Sequence, residues 1–260
     1  ISTIGEGALF IAQKLIDKET RRSICKKVLK SDVLSAKARE TKLKEFEINC
    51  CIHHPSICKA YLIDKNLFSI YVEYLDYDLK GFLSSDYGSN TMKAKIIVEI
   101  SHAINFLHKK SMIHKKISID NIRLNSALEA KLTNVGSVDN KTNGVGVLAY
   151  KSPEMVNEEE YNNKTDVYSF GVVLYFMAFN CLPKQSLREK AGFKPIKIPT
   201  EHANVSSFFI QLIERCLKPE HSERPSFEDI LGDLRKNSFQ IADDVDTEVV
   251  SQRDRQLDLI

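Results

Sequence analysis

His114-Lys115-Lys116-Ile117-Ser118-Ile119-Asp120-Asn121 decides how this chain is read, because it places two adjacent cations where an apolar helical pattern gives way to a loop. Ile97, Ile100, Ile104 and Leu107 recur at helical spacing and lead through Ser111-Met112-Ile113 into His114. An ordinary lysine, with a pKa near ~10.4, is protonated at neutral pH, so Lys116 has no lone pair with which to accept a proton. Further on, Lys131-Leu132-Thr133-Asn134-Val135-Gly136 brings a second amide, Asn134, to set beside Asn121.

The chain has 260 residues, enough to bury a large core, with 37 basic and 35 acidic side chains and a net charge of +2. Such balance offers no electrostatic case for nucleic acid or an anionic membrane surface as the main partner, and leaves ordinary protein surfaces as the expected ones. No apolar run approaches the ~20 residues of a membrane span, and no signal peptide heads the chain. Cys25, Cys50, Cys51, Cys58, Cys181 and Cys216 show no Cys-x-x-Cys or zinc spacing. They read as reduced thiols of a cytoplasmic protein.

Several segments fall in one order. Ile4-Gly5-Glu6-Gly7 opens the chain, Ser23-Ile24-Cys25-Lys26 follows, and Glu45 precedes His54-Pro55-Ser56-Ile57. Ser69-Ile70-Tyr71-Val72-Glu73-Tyr74-Leu75 is a short β-branched and aromatic run, after which come the His114 loop and Asn134. Ser152-Pro153-Glu154, Asp166-Val167-Tyr168-Ser169-Phe170-Gly171 and Arg224-Pro225-Ser226-Phe227 close the series. Together these resemble the protein kinase family, and the Asp166 and Arg224 phrases look most like its tyrosine-kinase-like (TKL) group, whose active members mostly phosphorylate Ser and Thr. The resemblance implies an α+β bilobal kinase fold over residues 1–236. A small β-rich N-lobe with one helix would take 1–72, a hinge 73–77 and a larger, mainly helical C-lobe 78–236. Residues 237–260 read as a polar tail or linker. Because the chain begins inside a motif, it is expected to be excised from a longer protein with further domains.

The resemblance also implies roles for single residues. Lys26 would bridge the nucleotide phosphates and pair with Glu45, with Lys27 as the alternative register, since strand pleating lets only one of two neighbours face the cleft. Gly5 and Gly7 would let backbone approach phosphate, although Phe10 stands in the third glycine's place. Val72 would be the gatekeeper, with Glu73 and Leu75 in the hinge. Asn121 keeps the amide that ligates a second magnesium, while Asn134 replaces a carboxylate that bridges metal and phosphates. Lys116 stands at the catalytic aspartate and has three readings: an ammonium on the γ-phosphate, a cation paired elsewhere, or a base depressed by burial. Asp120 is a remote substitute base. Lys115, Ser118 and Val147 alter the surrounding loop network, and Ser137, Thr142 and Tyr150 lie in the segment between Asn134 and Glu154. Glu154, Asp166 and Arg224 keep structural roles, Glu154 with Arg224 as a buried ion pair and Asp166 bracing the loop.

The expected function is therefore that of a pseudokinase that binds ATP weakly and magnesium poorly, acting through contacts with other signalling proteins, an active kinase among them. Two alternatives stay open: an active or weakly active Ser/Thr kinase, and a nucleotide-free interaction module with Phe10 as the plug.

Overall fold

Alternation of side chains across short β-branched runs builds the first layer. The computed structural model describes the chain apart from residues 1, 8, 31–34, 86, 136–144 and 200–203, and apart from the side chains of 36 and 145–147. Gly136, Ser137, Thr142 and the Val147 side chain therefore lie outside the described residues. Strands β1 (Ser2–Glu6), β2 (Phe10–Ile16), β3 (Ser23–Leu29), β4 (Ala60–Asp64) and β5 (Ser69–Glu73) form an antiparallel sheet in the order β1-β2-β3-β5-β4. Helix α1 (Ala36–Cys50), capped by the Ser35 side chain, packs on this sheet through Phe46, which joins Leu29, Ile70 and Val72 in a separate small core.

The second layer is helical. After β6 (Tyr77–Asp78) and α2 (Leu79–Leu83), the long α3 (Asn90–Lys109) buries Ile96, Ile97, Ile100, Ile104 and Leu107, the face its spacing predicts. Strands β7 (Ile122–Leu124) and β8 (Ala130–Leu132) pair with β6 into a small antiparallel sheet beneath the cleft. Then come α4 (Val145–Tyr150), α5 (Pro153–Val156), α6 (Lys164–Phe179), α7 (Leu187–Ala191), α8 (Ser207–Cys216), α9 (Phe227–Lys236) and α10 (Thr247–Asp258). Helix α6 is buried from Thr165 through Met177, as expected of a helix apolar all round. Gly171 permits its close approach to α8, since a Cβ there would lie 2.8 Å from the Cβ of Cys216. The architecture is thus the α+β, two-layer arrangement that the motif order implies.

The last segment differs from expectation. Residues read as a solvated tail form α10, which lies along α3 and buries Val250 and Leu257. Its inward face is partly ionic. Arg253 reaches the fully buried Glu99 at 2.7 Å and Glu129 at 3.1 Å, while Asp254 meets His102 at 2.8 Å and Arg235 of α9 at 2.7 Å. Spacing from Val250 through Arg253 and Asp254 to Leu257 is helical, but the paired charges make the stretch look solvated in sequence.

A second buried pair ties the C-lobe together. Arg224 donates to both carboxylate oxygens of Glu154 at 2.7 and 2.9 Å and spends its remaining donors on the carbonyls of Lys218, Pro219 and Lys164. Its guanidinium also lies 5.1 Å from the Tyr168 ring centre. Burial would raise the Glu154 carboxyl, but the hydrogen bonds and charge of Arg224 outweigh it and hold it below its ordinary value.

Two outcomes follow for stability. Arg253→Ala leaves the Glu99 carboxylate buried without its nearest cation and should cost about 3 kcal/mol in denaturant unfolding, whereas Arg255→Ala, an exposed pair with Glu248, should stay within about 0.5 kcal/mol. Glu154 has a lower pKa folded than unfolded, so its contribution is present above the ordinary value of 4.5 and is lost as pH falls through the folded one. The stability advantage of wild type over Glu154→Gln should therefore be full at pH 7 and shrink below about pH 4.5.

Candidate functional site

The loop after α3 is shaped by one carboxylate. Asp166, at the start of α6 and fully buried, accepts from the backbone N–H groups of His114 and Lys115, each at 2.8 Å, and meets His108 Nε2 at 2.9 Å. These bonds hold Lys115 in the left-handed region at φ = 67°, an uncommon conformation for a lysine. His114 is buried below. Its Nε2 bonds the Thr133 carbonyl at 3.0 Å and its Nδ1 accepts the Lys116 N–H at 3.2 Å, which sets the neutral Nε2–H tautomer. Burial, opposed by nearby Asp166, holds this imidazole below its ordinary pKa.

From that loop a chain of amides crosses to the upper sheet. Asn121 Nδ2 donates to the Lys116 carbonyl at 2.6 Å, and Asn134 Nδ2 donates to Asn121 Oδ1 at 2.7 Å. Lys27 Nζ then donates to Asn134 Oδ1 at 3.0 Å. Asn134 sits at φ = 61°, a conformation asparagine tolerates better than most residues. The next residue, Val135, is tied to α1 by a hydrogen bond from Asn49 Nδ2 to its carbonyl.

Lys27, not Lys26, faces the cleft, which corrects the first register. Cys25 pairs with Val72 across β3 and β5, and both line the cavity. Two residues on, Lys27 points the same way, whereas Lys26 points to the other face, with Nζ 5.3 Å from the ring of its cross-strand neighbour Tyr71. The expected Lys26–Glu45 pair is therefore replaced. Glu45 is buried on α1 and holds Lys42 Nζ at 2.9 and 2.8 Å, an i,i+3 pair on its own helix.

The cleft between the layers is a cavity of about 520 Å³. Of the residues expected to bind nucleotide, Gly5, Val72, Glu73 and Leu75 line it, joined by Ala12, Lys27 and Asn134. Gly7 instead closes the β1–β2 turn, donating its N–H to the Phe10 carbonyl. Phe10 does not plug the cavity. Its ring packs on Phe46 of α1, centroids 5.8 Å apart. Sequence reasoning missed Arg123 of β7, which lines the floor; the alternation of buried Ile122 and Leu124 around it was the available signal.

Magnesium, which the resemblance implies, would meet two neutral amides here, Asn121 and Asn134. Asn121 Oδ1, the oxygen that would ligate it, already accepts the Asn134 NH₂, and Asn134 Oδ1 accepts from Lys27. Among the described residues no group of three or more His, Cys, Asp or Glu side chains is placed to hold a metal ion. A phosphate-bearing ligand does fit Lys27, which retains two N–H donors beyond its bond to Asn134.

Comparison with known proteins agrees with the architecture. A serine/threonine/tyrosine-protein kinase of Arabidopsis thaliana is 30% identical over 55% of this chain and 39% of its own length. A probable serine/threonine-protein kinase of Dictyostelium discoideum is 27% identical over 85% of the chain and 19% of its own length, and the Aurora kinase of Saccharomyces cerevisiae 26% over 81% and 59%. The chain thus spans between about a fifth and three-fifths of these relatives. Among the described residues no helix is long and apolar enough to cross a membrane. The family profile described as protein kinase domain matches residues 1–234, and the chain belongs to that family.

Proposed function

We propose that this domain is a pseudokinase, closest in its motifs to the TKL group, that works in the cytoplasm by presenting a folded two-lobe surface to other signalling proteins, an active kinase among them. The observation that carries this reading is the pairing of Lys116, at the catalytic position, with the neutral Lys27–Asn134–Asn121 chain, where a working site needs a base and an anionic metal ligand. The scaffold argues in the same direction. Asp166 holds the backbone of the loop and Glu154 holds Arg224, so the bonds that order the scaffold are present beside a site that lacks a base. ATP binding on this reading is weak and goes through Lys27.

One observation favours a second reading, a weakly active Ser/Thr kinase. Asp120 is exposed and lines the cavity, where it offers a carboxylate near the loop.

The test is single-turnover transfer from Mg-ATP to a generic protein substrate. Wild type should run at least about 10³-fold below an active relative, since both base and metal carboxylate are missing. Lys116→Asp with Asn134→Asp should raise transfer only in part, because Ser118 and Val147 remain and a misplacement of even about 1 Å costs roughly 10²-fold. Robust wild-type transfer abolished by Lys27→Met and by Asp120→Asn would establish the second reading in place of the first.

A further inference from the structure

Helix α10 lies beyond residues 1–234, the stretch that the family profile covers, yet a row of side chains alternating in charge joins it to the wall of the cleft. Arg253 of α10 pairs with Glu99 of α3 at 2.7 Å and with Glu129, just before β8, at 3.1 Å. Glu129 in turn lies 3.4 Å from Lys131 Nζ, which lies 3.7 Å from Glu73, the last residue of β5 and part of the cavity lining. The row ends on backbone. Glu73 Oε2 accepts the Lys59 N–H at 3.3 Å, the one hydrogen bond that this N–H makes among the described residues.

Lys131 is the point at which the row can take two states. Its ammonium faces two carboxylates, while its nearest acceptor, the Pro55 carbonyl at 2.6 Å, is neutral. How strongly Glu129 draws Lys131 depends on Arg253, because the two cations repel each other across that carboxylate. Burial would raise the Glu129 carboxyl, but the hydrogen bond from Asn125 and the charges of Lys131 and Arg253 hold it below its ordinary value, so both cations act on it. His54 adds no competing charge, since burial, with the charges of His102, Lys131 and Arg253, pushes it down to about 4.

We propose that α10 controls the Glu73 wall of the cleft through Lys131. With α10 docked, Arg253 holds Glu129, and Lys131 stays shared with Glu73. With Arg253 withdrawn, Glu129 takes Lys131 for itself, and the Glu73 carboxylate is left unpaired beside the cavity. A protein that lifts α10 from α3, or clamps it there, thereby changes the electrostatics that a ligand in the cleft meets.

Amide hydrogen exchange of the 260-residue chain, followed by NMR, reads this switch at a single site, the Lys59 N–H. Its rate is taken as a ratio to the rates of the β3–β5 ladder amides, which cancels any general loss of stability. The buried Val250 and Leu257 and the pairs of Asp254 with His102 and Arg235 still seat α10 when Arg253 is changed. Arg253→Ala should raise the ratio about 10-fold, as loss of a hydrogen bond to a charged acceptor implies. Adding Glu129→Gln to that variant should bring the ratio back, since a neutral amide no longer competes for Lys131. Arg255→Ala, which breaks the exposed pair with Glu248, should leave it unchanged. Arg253→Gln gives the same comparison should the alanine variant not fold. An unchanged ratio in Arg253→Ala, or a raised ratio that Glu129→Gln does not reverse, would overturn the proposal.

Discussion

The buried Asp166 carboxylate is the constraint on which the site depends. It takes two backbone N–H groups of the loop that begins at His114 and one histidine nitrogen, and so fixes a strained turn at Lys115 that nothing local would favour. With the loop fixed, the Lys116 carbonyl is where Asn121 can reach it, Asn121 is where Asn134 can reach it, and Asn134 meets Lys27 of the upper sheet. One carboxylate in α6 thus sets the registration of floor and roof across the cleft.

Exchange of a carboxylate for an amide at Asn134 changes more than charge. Two carbonyl-type oxygens facing each other from positions 121 and 134 would repel unless a cation lay between them, and the NH₂ of Asn134 supplies a donor of its own instead. The floor closes by hydrogen bonding alone. Lys27 correspondingly loses an anionic partner and retains its charge toward the cavity, where Arg123 adds a second. Neutralisation at one position and added charge at another shift the electrostatics of the cleft in the same direction.

Much of this was legible in the sequence, and the rest failed for identifiable reasons. The sheet-then-helix order of the fold and the Glu154–Arg224 pair follow from residue order alone, because each motif is tied to one place in the fold. Lys26 and Lys27 are adjacent cations in a strand, and a slip of one residue exchanges cleft for outer face. Only the pairing of Cys25 with Val72 separates them. Glu45 was placed on its helix correctly but was paired with the wrong lysine, since Lys42, three residues earlier on the same helix, reaches its carboxylate. Helix α10 was hidden because Arg253 and Asp254, which read as solvated, are buried against Glu99 and His102. Arg123 escaped notice in a three-residue strand too short to show a period of its own.

On the reading proposed above, the hydrogen bond between the Asn134 and Asn121 amides takes the place of a metal ion in the cleft. The most direct measurement is the rise in melting temperature on adding ATP, once in EDTA and once in excess magnesium. The account predicts the same rise in both for wild type, with magnesium dependence appearing only in Asn134→Asp. A rise in wild type that requires magnesium would contradict it.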